Sequence, residues 1–210
     1  MPAYTVQQGD HLSGIAEQFG FQKLETIWNH ANNAQLKQLR KNPHILFPGD
    51  IVFIPDKTDK TAPAPTTKLS TFQIDISKLK LNLKLMDVND DPIASKPVTL
   101  TVEGAVVPPP ATDGGGETSS QIKKSAKDAT LVVGDLEIPL KIGHLDPVDK
   151  QSGQIARLNN LGYEAGDAET VDIDAFESAV EEFQCDAGIK PITGNCDGTT
   201  QGKLVAVHGC

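Results

Sequence analysis

Residues 4–16 restrict the fold more than any other stretch: Tyr4-Thr5-Val6-Gln7-Gln8-Gly9-Asp10-His11-Leu12-Ser13-Gly14-Ile15-Ala16. Tyr4 and Val6 alternate with Thr5 and Gln7, the period-2 pattern of a half-buried strand. Gly9-Asp10 is a turn dipeptide, because Gly accepts positive φ and Asp can bond its own backbone. Leu12, Ile15, Ala16 and Phe19 then recur at helical spacing, and Gly20 suits the position just past a helix end. Leu24, Ile27 and Trp28 predict a second helix from about Lys23, with Trp28, the single Trp, as a core anchor. Phe47-Pro48-Gly49-Asp50 reads as a turn, and Ile51–Ile54 as a short apolar strand ended by Pro55. The order strand, helix, helix, strand over residues 3–55 defines a small βααβ unit. The intervening segment 29–43 is long, and Leu36 and Leu39 predict an extra helical turn there.

Residues 57–70 read as a linker, since Pro, Thr, Lys and Ala with few apolar side chains cannot bury enough surface to order themselves. The first domain is therefore expected to be freely tethered. Residues 71–143 read as β. Thr71–Ile76, Leu79–Leu85, Val98–Val102, Ala129–Val133 and Leu136–Ile142 supply strands. Turns are expected at Asn89–Pro92 and between Pro108-Pro109-Pro110 and Gly114-Gly115-Gly116. Short alternating strands argue for an antiparallel sandwich. Residues 144–210 read as three short helices. Ser152 is the expected cap of the first, with Ile155, Leu158 and Leu161 inward and Gly162 at its end. Asp172 or Asp174 starts the second, with Phe176, Ala179, Val180 and Phe183 inward. Asp197 caps the third, with Leu204, Val205 and Val207 as its apolar residues. The junction Gly143-His144-Leu145-Asp146-Pro147 is so short that sandwich and bundle are expected to pack together.

Four resemblances follow from these strings and their order. The opening Y-T-V-x-x-G-D-x-L-S-x-I-A and the closing P-G-D-x-V-x-I-P resemble the LysM domain over residues 3–55. The resemblance implies binding of N-acetylglucosamine-containing glycans, peptidoglycan or chitooligosaccharide. The turn Gly9-Asp10-His11-Leu12 and the loop Pro43-His44-Ile45-Leu46 would then flank a shallow groove. The segment 71–143 is similar to immunoglobulin- or transthyretin-like modules that act as spacers. Residues 144–210, with Q-x-x-L-x-x-L-G-Y at Gln154–Tyr163 and A-V-x-x-F-Q at Ala179–Gln184, resemble the bacterial peptidoglycan-binding three-helix domain. That implies contacts from Tyr163, Gln184 and Asp172. The family's D-G-x-x-G-x-x-T turn before the second helix is replaced here by Glu169–Asp174. The expected fold class is thus multidomain α+β, with domains at 1–56, 71–143 and 144–210. The whole order resembles accessory proteins associated with bacterial type VI secretion spikes and effectors. That resemblance implies a spike or effector protein as partner, and an adaptor role as the alternative to glycan binding.

Charge and cysteine usage narrow the remaining classes. The 210 residues carry a net charge of -9, which disfavours nucleic acid and direct membrane binding, since both need a basic face. Much of the acid sits in 151–210, where Arg157, Lys190 and Lys203 face ten carboxylates. No run reaches a membrane span, and Met1-Pro2-Ala3 leads straight into the first strand without a leader pattern. A cytoplasmic stage, followed by leaderless export to periplasm or cell wall, is the expectation. Cys185, Cys196 and Cys210 are expected as free thiols, with a Cys185–Cys196 or Cys196–Cys210 bridge as the rival; their spacing fits no zinc pattern.

Catalytic sets do not emerge. Ser13 lies outside any G-x-S-x-G elbow, and no phosphate-loop or H-E-x-x-H string occurs. Gly114-Gly115-Gly116 lacks the Lys and helix that phosphate binding needs. Around Asp87, Asn89 and Asp91, Pro92 and Val98 occupy the places where a calcium loop needs Gly and Glu, so a solvated turn is expected. Glu181-Glu182 point about 100° apart on a helix, so they cannot flank one sugar as a glycosidase pair. The expectation is a non-catalytic protein without cofactor or metal.

Overall fold

The computed structural model describes residues 3–58, 61, 63–71, 78–107 and 111–210. The strand expected over Thr71–Ile76 and the turn at Pro108–Pro110 fall largely outside these residues. The chain divides into two compact units: Met1–His44 with Pro48–Gly143, and Ile45–Phe47 with His144–Cys210.

In the first unit, β1 (Ala3–Thr5) pairs antiparallel with β2 (Ile51–Phe53), Tyr4 opposite Val52. Between them run α1 (Leu12–Gln18), α2 (Glu25–Trp28), one 3-10 turn (Ala31–Asn33) and α3 (Ala34–Arg40). Val6, Leu12, Ile15, Ile27, Trp28 and Val52 are buried, as the strand and helix periodicities predict. The lengthened 29–43 segment forms α3, which buries Leu36 and leaves Leu39 exposed. Two braces tie it down. Asn33 donates from Nδ2 to the carbonyls of Ile27 and Phe53 (both 2.8 Å) and accepts at Oδ1 from the Phe53 N–H (2.8 Å). Arg40 forks onto Asp50 with Nε and Nη2 at 2.7 and 2.8 Å, the bidentate geometry that suits guanidinium and carboxylate.

Among the described residues, the β region of this unit holds two antiparallel sheets. One pairs β3 (Leu79–Lys84) with β6 (Glu117–Ile122). The other runs in the order β5-β4-β7-β8, from Ala105–Val107, Val98–Val102, Asp128–Val133 and Leu136–Lys141. Leu100, Ile122, Leu131 and Ile142 form a common core, against which Leu79, Leu81 and Leu83 of β3 pack. The region is thus antiparallel β, as the alternation predicts. Two strands, β5 and β6, were not foreseen. The β6 core face carries Thr118 and Ser120 beside Ile122, so it has no apolar alternation to read. β4 and β5 join through Glu103-Gly104, both at positive φ, the two-residue hairpin that suits the sheet twist. The acidic turn is closed by Asp87, whose Oδ1 accepts from the N–H groups of Asn89 and Asp91.

In the second unit, α4 (Gln151–Asn160), α5 (Ile173–Asp186) and α6 (Gly198–His208) enclose a core of Ile155, Leu158, Phe176, Val180, Phe183 and Leu204. Asp172 caps α5, accepting from the N–H groups of Asp174 and Ala175, and Asp197 caps α6, accepting from that of Thr200. Ser152 does not cap α4. It lies inside the helix and donates to Asp146 Oδ2 (2.6 Å), while Lys150 holds the cap position. Val207 is exposed. Arg157 is buried and donates to the carbonyls of Cys210, Asp146 and Gly153. Burial pushes its pKa below the usual guanidinium range, with Cys210 and Asp146 countering. Gly153 fits here because a Cβ would collide with the Asp146 and Pro147 carbonyls. The three cysteines are free thiols, and burial raises the Cys196 thiol to about 11.

Candidate functional site

The turn between β1 and α1 is fixed by local hydrogen bonds. Asp10 N–H donates to the Gln7 carbonyl (3.0 Å), and Gly9 takes φ +84°, which a side chain would strain. The Asp10 carboxylate is committed to the turn: Oδ2 accepts from Tyr4 OH (2.7 Å) and the Gln7 N–H (2.9 Å). Burial, helped by Asp10, raises the Tyr4 phenol to about 12. His11 caps α1, its Nδ1 accepting from the Gly14 N–H (3.3 Å). The ring is 5% exposed, and burial, followed by the charge of His44, lowers its pKa to about 4. With Nδ1 accepting, the ring proton resides on Nε2, and a hydrogen bond to the Lys124 backbone holds the ring from the other side.

That last contact crosses from the βααβ region to the loop between β6 and β7. The same approach recurs at Gly14, where a Cβ would stand 3.3 Å from the Lys124 carbonyl oxygen, and at Gly143, where it would stand 2.7 Å from that of Gly9. Lys124 Nζ donates to the Gln22 carbonyl (3.1 Å). The first domain, expected on a free tether, is therefore seated on the β region. The contacts use backbone and glycines, which leave no apolar signature in the sequence.

A cleft of about 340 Å3 lies along this seam. One side is Gly9, Asp10 and His11 with Gly14, Glu17 and Gln18 of α1; the other is the loop Lys124–Lys127. Gly9, Asp10 and His11 border an opening, but its facing wall comes from residues more than a hundred positions away. Leu12 is fully buried and joins Pro43 through its backbone, N–H to carbonyl at 3.0 Å. His44 is exposed, its ring 6.1 Å from that of His11. Ile45 and Leu46 are buried, and they belong to the second unit. Sequence reasoning missed Lys124 and Lys127; the basic cluster Lys123–Lys127 was the available signal.

The three residues expected to act in the helical module also hold local structure. Gln184 is 1% exposed. Its Oε1 accepts from the N–H groups of Thr193 (2.8 Å) and Gly194 (3.3 Å), and its Nε2 donates to the Asn195 carbonyl (2.9 Å) and Thr200 Oγ1 (3.0 Å). Asp172 is the α5 cap. Tyr163 packs edge-on against Phe183 and donates to Asp186 Oδ2 at 3.1 Å.

Two segments of the chain match known families. Residues 4–55 match the LysM domain. Residues 156–204 match the putative peptidoglycan binding domain. Two segments of the chain are thus similar to glycan-directed domains, a composition that supports glycan binding of the peptidoglycan type. No curated protein and no solved structure matches the chain. Among the described residues no helix is long and apolar enough to cross a membrane, and no group of three His, Cys, Asp or Glu side chains is placed to hold a metal.

Proposed function

We propose that this is a non-catalytic peptidoglycan-binding protein. Its LysM region supplies the glycan contact, its β region acts as an immunoglobulin- or transthyretin-like spacer, and its helical region is a second wall-directed module. The observation that carries the reading is the LysM match over residues 4–55, together with a Gly9-Asp10 turn that borders an open cleft. The side chains around that turn are bound up in the fold, which suits recognition through backbone N–H and C=O groups and a small apolar patch rather than acid–base chemistry. The protein acts where it meets the wall, in periplasm or cell wall.

The test is co-sedimentation of the full chain with purified sacculi. Retention at low salt, without release of soluble muropeptides, is the expected result. Lytic release would overturn the non-catalytic part of the reading. Absence of retention would overturn the glycan part and favour a second reading, an adaptor that docks a type VI secretion spike or effector protein. One observation supports that second reading. Helix α3, pinned by the Arg40–Asp50 fork, leaves Leu39 exposed as an apolar contact point.

A further inference from the structure

Resting on the glycan reading, we propose that the cleft between α1 and the β6–β7 loop takes an amphoteric ligand segment: a peptide-substituted, amine- and carboxylate-bearing part of peptidoglycan in preference to a neutral chitin-like chain. Two walls of opposite charge face the opening. Asp10 and Glu17 line one side, and Lys124 and Lys127 line the other. They do not cancel by pairing. Among the described residues Glu17 makes no ion pair, and neither does the Lys127 ammonium; Asp10 points its carboxylate back to Tyr4 and Gln7. Lys124 is held in place by the Gln22 carbonyl.

Between the walls the His11 ring is neutral and bound at both nitrogens, so it adds no charge of its own. A neutral oligosaccharide would have to desolvate these charges without compensating them, whereas a ligand bearing both an ammonium and a carboxylate answers each wall. The volume, about 340 Å3, lies at the small end of ligand sites and holds a short segment rather than a long glycan run.

The experiment is calorimetric titration of the full chain with three probes: chitopentaose, a muramyl disaccharide carrying a diaminopimelate-containing stem peptide, and the same disaccharide stripped of peptide. The peptide-bearing probe is expected to bind about tenfold or more tightly than the other two, and it should weaken most with added salt. Lys127→Gln and Glu17→Gln, both at exposed positions, should each weaken the peptide-bearing probe by about three- to tenfold. Equal affinity for all three probes, or variants that leave the peptide-bearing probe unaffected, overturns the inference and leaves the glycan reading standing. Failure of every probe to bind overturns the glycan reading and the inference with it.

Discussion

The β1–α1 turn and the helical module both carry polar residues at positions that suggest glycan contact, and the fold uses them differently. In the helical module those residues hold the fold together, and Gln184 is buried doing so. Gln184 spends its amide on four partners within the unit, Asp172 caps α5, and Tyr163 lies against Phe183. In the turn, the side chains of Asp10 and His11 are also occupied, yet their backbone and that of Gly9 border an opening. A conspicuous polar residue in a short motif can therefore mark either a brace or a rim. What separates them is whether the surrounding chain closes over the residue. Around Gln184 the 193–200 segment does so. At the turn, the β6–β7 loop approaches but leaves space.

The comparison can be broken in three ways. The largest effect is expected from His11. Its ring titrates near pH 4 in the folded chain, below its ordinary value of 6.5, so between these values the unfolded chain binds the extra proton. Stability should be full above about pH 6.5 and fall by on the order of 3 kcal/mol as pH drops to about 4, with little further loss from this group below that. Denaturant titrations at several pH values will measure it. His11→Asn, which keeps a capping acceptor, should flatten that slope; an unchanged slope would show that the ring does not staple the turn.

Next, Gln184→Ala strands the Thr193 and Gly194 N–H groups and the Thr200 hydroxyl, and should cost about 2 kcal/mol in chemical denaturation. Sacculus binding per folded molecule should stay constant. Lost binding at full stability would make Gln184 a ligand contact and erase the contrast drawn above. The smallest effect belongs to Tyr163→Phe, which removes an exposed hydrogen bond and should change stability by about 0.5 kcal/mol or less. A large drop in glycan retention for this variant would reassign Tyr163 to the rim.

Much of this was readable from residue order, for reasons particular to each element. Alternation placed β3, β4, β7 and β8, and helical spacing placed Phe176, Ala179, Val180 and Phe183 inward, because their core faces are apolar. β6 escaped because Thr118 and Ser120 occupy its core face, and β5 because three residues carry too little pattern. The Glu103-Gly104 turn was the missed cue to the hairpin. Ser152 looked like a cap, but Lys150 holds the extended backbone that begins α4, and the serine hydroxyl turns to Asp146. Asn33 and Arg157 gave no local signal, because their partners are backbone atoms of distant segments. The cleft was half legible. Gly9-Asp10 marks one rim by its turn chemistry, while Lys124–Lys127 reach the other only through long-range packing.

Gly143 gives the molecule a property unlike that of beads on a string. It closes the β region, yet its missing Cβ leaves room for the carbonyl of Gly9 near the opposite end of that unit's chain. Exchanging the βααβ region for another by recombination in the 57–70 segment would preserve every motif. The new turn would still have to fit a surface shaped by residues 124 and 143. Inheritance of this part of the chain is thus coupled across a stretch of sequence that looks freely separable.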